Sequence, residues 1–112
     1  DRGADILQQD VVDFNAAITA ASSGSVNALN KLVERGADIS HCDVNGRTPL
    51  IIAAGNGHCQ IVELLINKGA DIHMKDNTGK TALLAAVYHD CFEVASLLLE
   101  HGSNAEDRDD RG

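Results

Sequence analysis

Asp43-Val44-Asn45-Gly46-Arg47-Thr48-Pro49-Leu50-Ile51-Ile52-Ala53-Ala54-Gly55-Asn56-Gly57-His58-Cys59-Gln60-Ile61-Val62-Glu63-Leu64-Leu65-Ile66-Asn67-Lys68-Gly69-Ala70-Asp71-Ile72 decides the fold, because the chain repeats it. Shifted by 33 residues, Asp43 falls on Asp76, Gly46 on Gly79, Thr48 on Thr81, Leu50 on Leu83 and Gly69 on Gly102. Self-similarity at a fixed period of this size marks a stacked array of small units.

The stretch also shows what one unit is. Thr48 can cap a helix, accepting a free amide of the first turn, and Pro49 suits the first helical position, where no N–H is needed. Leu50, Ala53 and Ala54 then make a face small enough to lie close against a neighbour. Gly55 to Gly57 break this helix, and a second is predicted from about His58 to Asn67, with Ile61, Val62, Leu64, Leu65 and Ile66 as its broad apolar side. Gly69 supplies the left-handed residue that ends it. The loop from Gly69 to Gly79, turning at Asp76-Asn77-Thr78-Gly79, has the chemistry of an exposed hairpin tip. A helix pair of this kind has apolar surface on two sides and cannot hide both alone, so neighbours must stack.

The run Asp-x-x-Gly-x-Thr-Pro-Leu, then Ala-Ala-x-x-Gly-His, then Ile-Val-x-Leu-Leu and Gly-Ala-Asp closely resembles the ankyrin repeat family over essentially the whole chain. The resemblance implies an all-α solenoid of helix-turn-helix units with projecting hairpin loops. Its expected divisions are a partial repeat at 1–7, repeats at about 8–40, 41–73 and 74–106, and the start of another at 107–112. Beginning and stopping in mid-repeat, with no obvious polar cap, reads as a piece of a longer array. The first complete repeat departs most from the pattern, with Asp13 for Gly46, Asn15 for Thr48, Ala16 for Pro49 and Lys31 for a core leucine. Asn15 should still cap its helix. The third puts Ala82 for the proline, Asp90 for the glycine and Cys91 for the histidine, changes expected to loosen turns more than the fold. Ile18, Ile51 and Leu84 replace the histidine that usually follows Thr-Pro-Leu in the family, which points to packing without its hydrogen bond.

Bulk properties narrow the function. The 112 residues fit one domain, and no apolar run approaches the roughly 20 residues of a membrane span. No basic, apolar leader opens the chain, and Cys42, Cys59 and Cys91 are odd in number and lack Cys-x-x-Cys spacing, which predicts an intracellular protein, cytoplasmic and/or nuclear. A formal net charge of −8 repels phosphate backbones, so direct nucleic-acid binding is disfavoured and a protein partner with a basic segment is favoured. The acidic run Glu106-Asp107-Asp109-Asp110 could meet such a segment, although a solvated tip is the commoner reading.

Five histidines, three cysteines and many carboxylates show no constellation at catalytic or metal-ligand spacing. The adjacent pairs His41-Cys42 and His58-Cys59 point their side chains apart. The resemblance gives His58 a structural role, bonding turn backbone between repeats. No enzyme, metal or cofactor is expected. The family's variable surface is the concave face and the hairpin tips, and there the alignment places Phe14, Val44, Asn45, Arg47, Asn56, Asn77, Thr78, Lys80, Tyr88 and His89 as partner-binding residues, beside Val12, Asp13, Ser22, Ser23 and Gly55. Phe14 reads equally as a gap-filler in an irregular hairpin. Tyr88 stands where Gly55 does one repeat earlier, so packing does not demand its ring. Arg47 and Lys80 occupy matched positions and could select a carboxylate, though such cations are usually just solvated. The resulting expectation is a non-catalytic protein-interaction module, a monomer or weak self-associator, within a scaffold or regulatory protein. The alternative is a structural spacer array in a channel or cytoskeletal linker.

Overall fold

A computed structural model of the chain describes residues 15–102, and six helices run through them in three antiparallel pairs. The described part of α1 covers 15–23 and is followed by α2 (Val26–Glu34); α3 (Pro49–Gly55) pairs with α4 (Cys59–Asn67), and α5 (Ala82–Tyr88) with α6 (Phe92–Glu100). No strand occurs among the described residues.

Each pair is built by the local chemistry of the repeated stretch. The Thr48 hydroxyl accepts the Ile51 amide at 3.2 Å, with Pro49 opening α3, and Thr81 accepts the Leu84 amide at 3.3 Å at the start of α5. Asn15 differs: it lies inside α1, whose beginning falls outside the described residues. The physical reason is that Ala16 lacks the proline ring that keeps the preceding residue out of helical geometry. The bend between paired helices uses a left-handed residue, and in the third unit this is Asp90 at φ 58°, the sole non-glycine with positive φ among the described residues. The bend keeps its backbone closure. Cys91 N–H reaches Ala86 O at 2.8 Å, as His58 N–H reaches Ala53 O at 3.0 Å, so the substitution costs conformational energy and leaves the geometry alone.

Gly36, Gly69 and Gly102 occupy matching places after α2, α4 and α6, each with positive φ. The six-residue closure of Ala70 N–H on Leu65 O, 2.9 Å, recurs as Ala37 on Leu32 at 3.0 Å.

Like stacks on like: α3 packs on α5, α2 on α4 and α4 on α6. The first helices approach through fully buried alanines, Ala17 and Ala21 in α1, Ala53 and Ala54 in α3, Ala82 and Ala86 in α5. The second helices fill the rest of the core with Leu29, Ile61, Val62, Leu65, Val94 and Leu98. The body is elongated, 47 × 29 × 21 Å, as a stack of units requires.

The loops between pairs form bonded tips beside the first helices. Asp43 N–H pairs with Arg47 O and Asp76 N–H with Lys80 O, both at 2.9 Å. One tip clasps the next, because Asn77 donates from its backbone to Asn45 O at 2.9 Å and from Nδ2 to Val44 O at 3.0 Å. Gly46 sits at this contact with φ 77°, and a Cβ there would lie 2.7 Å from the Asn77 backbone nitrogen.

Candidate functional site

A groove of about 390 Å³ crosses all three units on the side where the first helices and the tips meet. Ile18 and Ser22 of α1 line one end, Ile51, Ile52, Gly55 and Asn56 of the second unit form the middle with Arg47, and Asp76, Lys80, Ala85, Tyr88 and His89 close the other. Five of the residues expected to bind a partner are thus gathered: Arg47, Asn56, Lys80, Tyr88 and His89. Val44, Asn45, Asn77 and Thr78 are exposed on the tips, outside the groove lining. Phe14, with Val12 and Asp13, lies outside the described residues.

Several of these side chains already have work inside the fold. Asn56 Nδ2 donates to Ser22 O at 3.0 Å, and His58 Nε2 lies 2.9 Å from the same carbonyl, so both tie the second unit to the first. The structural role expected of His58 is the one it has here. One unit on, Cys91 takes its place and its thiol reaches Gly55 O at 3.7 Å, a weaker link of the same kind. The Asn77 amide is likewise occupied by Val44 O. Val44 itself is 92% exposed, with its side chain in solvent.

The tips hold two cations at the groove. Arg47 donates Nε to Asp43 Oδ2 at 3.1 Å, with a second guanidinium nitrogen also 3.1 Å from that oxygen. Lys80 places Nζ 4.4 Å from the Tyr88 ring centroid and 3.2 Å from the Thr78 hydroxyl. Ammonium over a ring face is attractive and stiffens both side chains. Each neighbouring carboxylate turns one oxygen to its own turn. Asp43 Oδ1 accepts the Asn45 and Arg47 amides at 2.9 Å, and Asp76 Oδ1 accepts those of Thr78 and Lys80 at 2.8 and 3.0 Å. Partial burial pushes Asp43 up, but the N–H groups of Arg47 and Asn45 and then the Arg47 guanidinium outweigh it and hold the carboxyl below its ordinary value. Asp76 follows the same course, burial being overcome by the Thr78 hydroxyl, the Lys80 and Thr78 amides and the Lys80 charge.

Sequence reasoning missed the floor. Ile51 and Ile52, 2% and 8% exposed, present a flat apolar bottom together with Ile18 and Ala85. The signal was present in Ile18 and Ile51, which stand where the family's histidine would bring a polar ring. Gly55 was in the variable set for its position, but its meaning is spatial: it is helical, without positive φ, and a Cβ would meet His89 Cδ2 at 3.4 Å and Ala85 Cβ at 3.7 Å. Glycine is not needed there by the backbone. It leaves a notch where Ser22 and Tyr88 stand in the flanking units.

Among the described residues, no group of three or more His, Cys, Asp or Glu is placed to hold a metal ion. Burial, followed by the charges of Glu93, Cys91 and Glu63, pushes the Cys59 thiol up, opposite to the activation a nucleophile needs. No helix of the described residues is long and apolar enough to cross a membrane.

Comparison with known proteins agrees with this geometry. No curated protein matches the chain. A family model described as "Ankyrin repeats (3 copies)" matches residues 4–109. With the matched span covering nearly the whole sequence and three stacked helix pairs joined by clasped tips, the chain belongs to the ankyrin repeat family.

Proposed function

We propose that this chain is a non-catalytic partner-binding module that engages a peptide segment or a folded domain along the groove and the adjoining tips. Ankyrin repeats are generally protein–protein interaction modules and typically non-catalytic. One observation supports the reading here above others: Arg47, Lys80, Tyr88 and His89, from two different units, face one cavity over an apolar floor. Aromatic and arginine side chains are the usual anchors of interfaces, and a rigid face of this kind can bury roughly 800 Å² per partner. We take the module to consist of repeats at about 8–40, 41–73 and 74–106, and to act within an intracellular scaffold or regulatory protein, in cytoplasm or nucleus. The overall charge of −8 would draw a partner bearing basic segments toward the outer surface. Weak self-association has a surface available in Val87, 57% exposed where the aligned Ala54 is fully covered, and in Leu99, 44% exposed.

The rival is a spacer array in a channel or cytoskeletal linker. Alanine at Tyr88 and at Arg47 separates the two. Each should weaken a captured partner at least ~10-fold while leaving thermal unfolding nearly unchanged, since Tyr88 is 59% exposed and exposed ion pairs add little to stability. Unaltered affinity in both variants removes the groove as the binding surface, and the absence of any saturable partner favours the spacer.

A further inference from the structure

We propose that a second surface, the furrow between the outer sides of α4 and α6, docks an arginine-bearing segment of a partner protein, an inference that goes beyond the groove of the first helices. The furrow, about 460 Å³, is lined by Cys59 and Glu63 of α4 and by Phe92, Glu93, Leu97 and Glu100 of α6, among others. No described lysine, arginine or histidine lines it. Among the described residues, none of the three carboxylates enters an ion pair or a hydrogen bond through its side chain, so their charge is uncancelled and their oxygens are open to a ligand. Burial first, and then the charges of Glu93, Cys91 and Glu63, push the Cys59 thiol up, so carboxylates of both helices bear on one point of the furrow.

The repeat supplies a comparison within the molecule. Shifted back by 33 residues, the matching furrow between α2 and α4 has Gln60 and Asn67 where Glu93 and Glu100 stand. Neutral amides serve the stack there, so packing does not call for the two charges. Helix formation explains one at most: Glu93 in the first turn of α6 suits the macrodipole, and Glu100 in the last turn opposes it. The occupant follows from spacing and chemistry. Glu93 and Glu100 lie two turns apart on one side of α6, about 10 Å along its axis, with Leu97 between them. An extended segment covers about 10 Å in three residues, so two arginines three positions apart reach both carboxylates, each with a fork suited to bidentate pairing. Phe92, 77% exposed at the first position of α6, offers its ring to a guanidinium, which stacks on aromatic faces and gives up water more readily than an ammonium.

The test is titration of the full 112-residue chain with short labelled peptides in one Gly-Ser background, carrying two arginines, two lysines or two glutamates three positions apart, read by fluorescence anisotropy at low ionic strength. Expected are saturable binding of the arginine peptide, weaker binding of the lysine peptide and none of the glutamate peptide. Glu93→Gln with Glu100→Asn, which gives α6 the amides that α4 carries, should weaken the arginine peptide about 3–10-fold. Glu34→Gln with Asp71→Asn removes the same charge outside the furrow and should leave affinity within about 2-fold. Phe92→Ala should cost about 2–5-fold, as an exposed contact between cation and ring does. Tyr88→Ala, in the groove of the first helices, should leave this binding unchanged, so the two surfaces fail separately. Equal losses in the two double variants mean diffuse attraction to an acidic chain and overturn the site, as does the absence of saturable binding. A lysine peptide held as tightly, or an inert Phe92→Ala, overturns the choice of arginine.

Discussion

Replacing Gly46 with alanine tests whether the tips hold one another as described. Two costs add. An L-residue at φ 77° pays about 1–2 kcal/mol for left-handed geometry. The new Cβ also meets the Asn77 backbone nitrogen at 2.7 Å, and a backbone cannot swing aside as a side chain can. Moving the tips apart breaks Asn77 N–H to Asn45 O and Asn77 Nδ2 to Val44 O, each worth about 0.5–1.5 kcal/mol. The sum is about 2–5 kcal/mol. Gly36→Ala is the control: φ is 90°, but nothing lies within 4 Å of the added carbon, so only the first cost of about 1–2 kcal/mol applies. Urea unfolding followed by far-UV circular dichroism should therefore give a loss larger by about 1–3 kcal/mol for Gly46→Ala, at unchanged m. Because Arg47 and Lys80 sit at the feet of these tips, binding of a captured partner should fall in Gly46→Ala and stay intact in Gly36→Ala. Equal losses at the two glycines would refute the clasp.

Three further outcomes follow from the same geometry. Asp43 and Asp76 are held below the ordinary carboxylate value of about 4, so the stability they add is complete above that value and is lost as pH falls through their lower folded-state values. Asp38 adds in the same sense, lowered by the Ser40 hydroxyl and N–H. The urea midpoint of the native chain should thus fall more steeply in acid than that of an Asp43→Asn, Asp76→Asn double variant, and parallel curves would contradict this. Asp90→Gly should stabilise by about 0.5–1 kcal/mol, because glycine adopts φ 58° without strain; a loss of stability on thermal unfolding would show that the Asp90 side chain contributes something more. Iodoacetamide should modify exposed Cys42 well before Cys59, whose thiol is pushed up by burial and nearby acids, as peptide mass mapping would read; the reverse order would mean that the second helices open readily.

The fold was legible because each unit writes its boundaries in residues with one conformational use. Thr48-Pro49 starts a helix, Gly69 ends one, and the alanine pairs at 53–54 and 85–86 mark the face where helices meet. Repetition removes ambiguity, since a reading made once can be checked 33 residues later. The candidate site was only partly legible, because what a polar side chain does on this surface depends on the next unit. Asn77 and Asn56 look like free recognition groups in sequence, yet each bonds a carbonyl 33 or 34 residues away. Ile51 looks like core, and it is, but it is also the floor of the groove. Gly55 resembles one more turn glycine among several, and only the distance to His89 shows that it makes room. Asn15 is helical rather than a cap, because Ala16, unlike Pro49, does not keep the residue before it out of helical geometry.

Amide chemical shifts of the labelled chain, followed during titration with a captured partner, would locate the interface residue by residue. Saturable shifts at Gly55, Lys80, Tyr88 and His89, whether or not the outer faces of α4 and α6 also move, are what a partner seated across the first helices and tips produces. Shifts confined to those outer faces would contradict it and place recognition on the opposite side of the stack.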